Sequence, residues 1–123
     1  VEAEMSASIV VDLPYPPSVN HYWRRVGART LISAEGRRYR ERVGEELSLY
    51  SIEPMTGSVD VFINVHPPDR RRRDLDNILK ALLDALEHGG VYANDSQIDV
   101  LEIVRGEIHP GGKVVVHLME KDD

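Results

Sequence analysis

The sequence contains no cysteine, which excludes a disulfide framework, a thiolate zinc site and a thiol nucleophile, and fits a reducing compartment. Nor does any apolar run approach the roughly 20 residues needed to span a bilayer. The opening stretch VEAEMSASIVVDLP holds acids where a signal peptide carries positive charge. The expectation is therefore a soluble, unprocessed, cytoplasmic protein with no membrane partner. A Gly-rich phosphate loop and a Ser-His-Asp order are both missing, so nucleotide hydrolysis and acyl transfer have no support. The histidines at 21, 66, 88, 109 and 117 show no metal-ligand spacing to one another, which argues against zinc. His66 and His117 are expected on strand faces instead. Internal repeats, heptads and low-complexity tracts are absent too.

What is present is 123 residues, 41% of them hydrophobic, enough for one core and one domain over 1–123. The net charge of -6 argues at first against a nucleic-acid partner, because phosphate-binding surfaces show excess Lys and Arg. Position changes that reading. Residues 1–80 hold 12 acids and 12 bases, whereas 81–123 hold 9 acids and 3 bases. Seven arginines fall between Arg24 and Arg42 against only Glu35 and Glu41, and four more run from Arg70 to Arg73.

The apolar pattern predicts a β-α-β-α-β-β order. A strand is expected over Ala7–Leu13, stopped by Pro14, Pro16 and Pro17, with a loop or irregular extension from Ser18 to Ile32. Ser33 is the expected N-cap of a helix to about Ser51, in which Tyr39, Val43, Leu47 and Tyr50 recur at helical spacing. Val59, Val61, Ile63 and Val65 alternate with more polar neighbours, the signature of a strand with one buried face. A second helix is expected from about Asp74 to His88, with Leu75, Ile78, Leu79, Leu82, Leu83 and Leu86 as its apolar stripe and Gly89-Gly90 as its stop. A loop follows from Val91 to Gln97. Two strands near Ile98–Gly106 and Lys113–Met119, joined through His109-Pro110-Gly111-Gly112, read as a hairpin. The fold class is α+β, a mixed sheet packed by two helices, with loose tails at 1–6 and 120–123.

The densest chemical signal is Arg70-Arg71-Arg72-Arg73-Asp74-Leu75-Asp76-Asn77-Ile78-Leu79-Lys80, followed downstream by Asn94-Asp95-Ser96. Carboxylates at i and i+2 share a face of extended chain but diverge around a helix. Asp74 and Asp76 can share a ligand only if Asp74 lies outside regular helix. Hard divalent ions take oxygen ligands of this kind and activate water against a phosphodiester. Lys80 offers charge to the transition state, and the arginines suit flanking phosphates. Each carboxylate also has a purely structural reading: Asp74 and Asp76 as helix caps, Asp76 with Lys80 as an i,i+4 ion pair, Asp95 as a turn former. Four adjacent arginines repel one another and are better explained by a phosphate partner. Arg24, Arg25 and Arg29 beside Tyr22 and Trp23 suit nucleic acid or an unpaired base, or an aromatic anchor that pins a loop. Arg37, Arg38, Arg40 and Arg42 read as a solvated helix face paired with Glu41, Glu45 and Glu46, above all for Arg38 and Arg42.

These blocks resemble the RusA Holliday junction resolvases. The likeness is carried by Pro14-Tyr15-Pro16-Pro17-Ser18-Val19-Asn20, His21-Tyr22-Trp23-Arg24, Ser33-Ala34-Glu35-Gly36, Tyr39-Arg40, Pro68-Asp69 with the central block, and Asp95-Ser96-Gln97, in the family's order over about Val10 to Val104. The resemblance implies a homodimeric endonuclease that cuts two symmetric strands of four-way junction DNA with Mg2+ or Mn2+. It implies Asp74, Asp76 and Asp95 as metal-binding catalytic carboxylates, Lys80 as the catalytic lysine, and Arg70, Arg71, Arg72, Arg73 and Asn77 as DNA contacts. Ser18, Val19, Asn20 and His21 match a second DNA-contacting segment, at whose last position the family can carry a basic residue. Two other readings stay open: a metal-dependent nuclease for forks, flaps or duplex, and a non-catalytic junction-binding protein.

Overall fold

In a computed structural model, which describes residues 5–121, a four-stranded sheet is packed on one face by two helices. β1 is Met5–Pro14, β4 Ser58–His66, β5 Ile98–Arg105 and β6 Lys113–Lys121. The sheet is mixed: β6 runs antiparallel to both β1 and β4, while β5 lies parallel to β4. Strand alternation sets the core. Val11 and Leu13 from β1, Val59, Val61, Ile63 and Val65 from β4, and Val114, Val116 and Leu118 from β6 are all buried, each such side chain contributing roughly 1.5–3 kcal/mol.

α2 spans Ala34–Leu47 and α3 Leu79–His88. Ser33 caps α2 as expected, its side chain accepting from the Gly36 N–H at 2.9 Å. The helix ends at Leu47 rather than near Ser51, with Ser48 at its C-cap. Tyr39, Val43 and Leu47 face the sheet, and the Tyr39 hydroxyl donates to the Pro14 carbonyl at 2.8 Å. α3 buries Ala81, Leu82, Ala85 and Leu86. It begins after a 3-10 turn over Leu75–Ile78, so the second expected helix is two elements in series. Gly89 caps it and Gly90, at φ 86°, reverses the chain.

Three expectations are corrected. The stretch from Ser18 to Ile32 is not a loop: it folds as a one-turn helix α1 (Val19–Tyr22) and a hairpin of β2 (Trp23–Val26) with β3 (Arg29–Ile32), turned at Gly27 with φ 62°. The last two strands are not a hairpin. β5 holds Asp99, Glu102 and Arg105 and takes the sheet's edge, while the Val-rich β6 takes an interior place between β1 and β4. The intervening chain therefore crosses the end of β4, held by Gly106 N–H to the Val65 carbonyl at 2.7 Å and His109 N–H to the Pro67 carbonyl at 2.9 Å. Of the expected tails, residues 1–4 and 122–123 lie outside the described residues, but residues 5 and 6 belong to β1 and Glu120–Lys121 to β6, with Met5 paired to Lys121.

Candidate functional site

The arginine run leaves β4 through Pro67-Pro68 and is folded by one carboxylate. Asp69 Oδ1 accepts from the Arg71 N–H at 2.9 Å and from Arg73 Nη1 at 2.6 Å, and Arg73 Nη1 donates onward to the Arg71 carbonyl at 3.1 Å. The Arg73 guanidinium and the Arg71 N–H together hold the Asp69 carboxyl down at about 2, since both favour its charged form. Arg73 is thus tethered, whereas Arg70, Arg71 and Arg72 are exposed and engaged in no ion pair among the described residues. The run lines a cleft of about 400 Å³ together with Asp74, Arg105 and Ile108. Burial raises the Tyr15 phenol above its ordinary value, while Arg73 and Arg105 pull it the other way.

A second cleft of about 370 Å³ joins the proline segment to this run: Tyr15, Pro16, Pro17, Ser18 and His21 line it with Arg72, Arg73, Asp74 and Asn77. Two blocks about fifty residues apart in sequence thereby share one surface. Ser18 sets the short α1, its carbonyl accepting from the His21 N–H at 3.0 Å and the Tyr22 N–H at 2.9 Å. Val19 and Asn20 stand on the same turn but line neither cleft. Tyr22 is fully buried and pins the turn: its hydroxyl donates to Asp84 on α3, and Arg40 Nε on α2 donates to that hydroxyl at 3.1 Å. Arg40 also reaches Asp84 Oδ2, with Nη2 at 2.7 Å. Arg40 is therefore no member of a solvated face, although Arg38 and Arg42 are exposed.

Asp74 sits in extended backbone (φ -80°, ψ 135°) at the start of the 3-10 turn and makes no side-chain capping bond. It lies outside regular helix, the condition the i,i+2 spacing demands, and leaves the capping role undone. Asp76 and Lys80 are exposed, and no ion pair joins them among the described residues. Asp95 is also exposed, in a 3-10 turn over Asp95–Gln97 that its neighbours shape. Asn94 Oδ1 accepts from the Ser96 N–H at 2.8 Å, and Gln97 Oε1 from the Asn94 N–H at 3.0 Å. The turn-forming role is filled by Asn94 and Gln97, not by the Asp95 side chain.

The structure keeps Asp74, Asp76 and Lys80 at one end of α3 and places Asp95 at the other. The Asp95 N–H donates to Glu87 Oε1 at 2.9 Å near the last turn of α3, and Gln97 Nε2 donates to the Met55 and Gly57 carbonyls just ahead of β4. Asp74, by contrast, adjoins residues following β1 and the end of β5. The ten residues of α3 alone rise about 15 Å. Among the described residues, no group of three or more His, Asp or Glu is placed to hold a metal ion. Within one chain the expected trio of carboxylates does not assemble.

Two elements escaped the sequence reading. Arg105 reaches the arginine cleft from the end of β5; its only sequence signal is a lone base in an acidic stretch. The β2-β3 ribbon pairs only with itself and exposes Arg24, Arg25 and Arg29. His66 and His117 lie on β4 and β6, as expected. No helix among the described residues is long and apolar enough to cross a membrane.

The family described as Endodeoxyribonuclease RusA matches residues 14–118. The chain is 43% identical over 109 residues to the crossover junction endodeoxyribonuclease of Enterobacteria phage HK97, covering 88% of this chain and 91% of that protein. It is 38% identical over 111 residues to the protein of the same description from Escherichia coli, and 39% identical over 111 residues to that of Enterobacteria phage 82, in each case covering 89% of this chain and 92% of the relative.

Proposed function

The chain belongs to the RusA family of endodeoxyribonucleases, and from that premise we propose that it is a Holliday junction resolvase: a homodimeric, metal-dependent endonuclease that cuts paired strands of a four-way DNA junction. The observation that carries the reading is the pairing of exposed carboxylates without internal partners, Asp74 and Asp76, with an arginine-lined cleft. Arg70, Arg71 and Arg72 bind the phosphates flanking the cut, and Ser18 and His21 bound the same surface from the proline segment. Val19, Asn20 and Asn77 extend that contact. Lys80, one helical turn past Asp76, places its ammonium where it can offset charge developing on the phosphate.

Asp74 and Asp76 would hold Mg2+, or Mn2+ in its place; their oxygen donors suit a hard ion that keeps several waters and binds through one or two carboxylates. Such an ion supplies Lewis-acid activation of water and of the scissile phosphodiester. The Asp95 carboxylate is the third member of the set and stands apart from the other two in its own chain.

The experiment is a cleavage assay on a synthetic four-way junction, a fork and a linear duplex across a Mg2+ titration. Paired symmetric incision of the junction, with little cutting of duplex, is the expected result. Equal cutting of all three substrates would make the protein a general nuclease. Binding without incision in Mg2+ or Mn2+ would make it an architectural protein whose aspartates are not catalytic.

A further inference from the structure

We propose that the DNA-binding surface runs on from the arginine cleft, over the Tyr15-Pro16-Pro17 segment, to the flank of α2, where Arg38 and Arg42 bind the phosphates of a duplex arm away from the cut. This rests on the nuclease reading above and adds a contact to it. The first observation is continuity. A third recess, of about 320 Å³, is lined by Tyr15, Pro16, Pro17 and Glu35 together with Arg38 and Arg42. The first four of these also line the cleft that holds Arg72 and Arg73, and those two arginines line the first cleft as well. The three recesses therefore adjoin in series.

The second observation is what Arg38 and Arg42 do not do. Four residues apart on α2, they share a face of the helix, and both are exposed. Glu41 lies three residues beyond Arg38 and Glu46 four beyond Arg42, spacings at which helical ion pairs form. Neither arginine makes one: among the described residues, the arginines in ion pairs are Arg40 and Arg73. Like charges at this spacing destabilise a helix. A phosphate backbone relieves that repulsion and suits the guanidinium fork.

The ground between the two arginine groups is firmly built. Tyr39 donates its hydroxyl to the Pro14 carbonyl at 2.8 Å, which fixes α2 against the proline segment. Pro16 is buried there, and the prolines hold the backbone in a fixed conformation. The Tyr15 side chain rests on the glycine turn, where a Cβ at Gly112 would stand 2.8 Å from its own Cβ. Charge favours one class of ligand along the whole track. Seven arginines and three acids line the three recesses together. Of the acids, Asp69 is held by Arg73 and Asp74 belongs to the proposed metal pair. Glu35 remains, in the first turn of α2, where the helix N-terminus offsets part of its charge. A continuous basic track on a chain of net charge -6 is a phosphate surface.

The test measures junction affinity against salt, with divalent metal chelated so that nothing is cut, for the wild type and three variants. Arg38→Ala/Arg42→Ala should shallow the log-log slope by about 2, so that the wild type's advantage shrinks about tenfold between about 50 and 200 mM salt. Arg38→Lys/Arg42→Lys should keep the wild-type slope, because an ammonium still neutralises a phosphate. Arg37 is the control: next to Arg38 in sequence, it lines a different recess with Glu41 and His88 and donates to the Ile32 carbonyl at 3.2 Å. Arg37→Ala should leave the slope unchanged. On junctions whose arms are shortened stepwise, the wild type's advantage over the alanine pair should vanish before binding does. An unchanged slope in the alanine pair, a lysine pair that behaves like it, or an equal loss per charge in Arg37→Ala overturns the proposal. An advantage that survives on the shortest arms still bound overturns the placement on a distant arm. Those outcomes leave the nuclease reading intact, whereas wild-type protein that does not bind a four-way junction overturns that reading and this extension with it.

Discussion

Arg40 and Asp84, on different helices and forty-four residues apart, meet at 2.7 Å, and the same carboxylate oxygen accepts the hydroxyl of Tyr22. Three elements converge on one group: α1 with the proline segment, α2, and the helix that carries Lys80. The side chains of Arg40 and Asp84 are each 24% exposed, so this pair is worth more than a surface ion pair and less than a fully buried one.

Replacing Asp84 by alanine strands both the guanidinium and the phenol. Asp84→Ala should lower unfolding free energy by about 1–3 kcal/mol in urea denaturation, and Asp84→Asn by less, because an amide oxygen still accepts. A loss below about 0.5 kcal/mol, the usual limit for surface changes, would mean that the contact is not formed in solution.

Asp76→Asn removes a carboxylate with no internal structural bond, so folding should be untouched. Junction binding in gel shift should persist while incision falls on the order of 100-fold or more. Chelation of Mg2+ should do the same to the unaltered protein. Retained cutting by the variant would remove Asp76 from the site.

The Asp69 clamp titrates far below neutrality. Its carboxyl is lowered from 3.8 to about 2 by Arg73 and the Arg71 N–H, so the clamp contributes fully above about pH 4 and is lost as pH falls towards 2. An NMR titration of the Asp69 side-chain carbon should show a midpoint near 2. A midpoint at the ordinary value would mean an unfolded arginine loop.

The β2-β3 ribbon has one face turned to the body through Trp23 and Ile32 and another holding Arg24, Val26, Arg29 and Leu31. Two exposed arginines on one face of the ribbon are expected to add phosphate contacts. Arg24→Ala/Arg29→Ala should weaken junction binding and shallow the log-log salt slope by about 2. An unchanged slope would assign these arginines to solvent.

Much of this was legible without coordinates. Periodicity placed β4 and α3 because Val59 to Val65 and Leu82 to Leu86 bury the faces their spacing predicts. The central block stood out because four adjacent arginines have no other economical explanation. Pairing partners were harder to read. The glycines at 111 and 112, at φ 86° and 76°, resemble a hairpin turn, yet a tight turn does not reveal whether the next strand pairs with the last or passes over it. The hairpin at Gly27 was hidden for a related reason: β2 and β3 bury little, so no alternation marks them. Most consequential, spacing along a chain cannot show that Asp76 and Asp95 sit at opposite ends of one helix.

The interior position of β6 has a consequence for how the chain is made. β1 pairs with β6 across most of the sequence, and β4 meets β6 rather than β1. A nascent chain leaving the ribosome therefore carries β1 and β4 with unpaired edges until β6 emerges. The sheet closes only by insertion of that last strand between two waiting neighbours, a long-range event that slows folding and leaves apolar edges open to association meanwhile. Removal of β6 would part β1 from the β4-β5 pair rather than trim the sheet's edge.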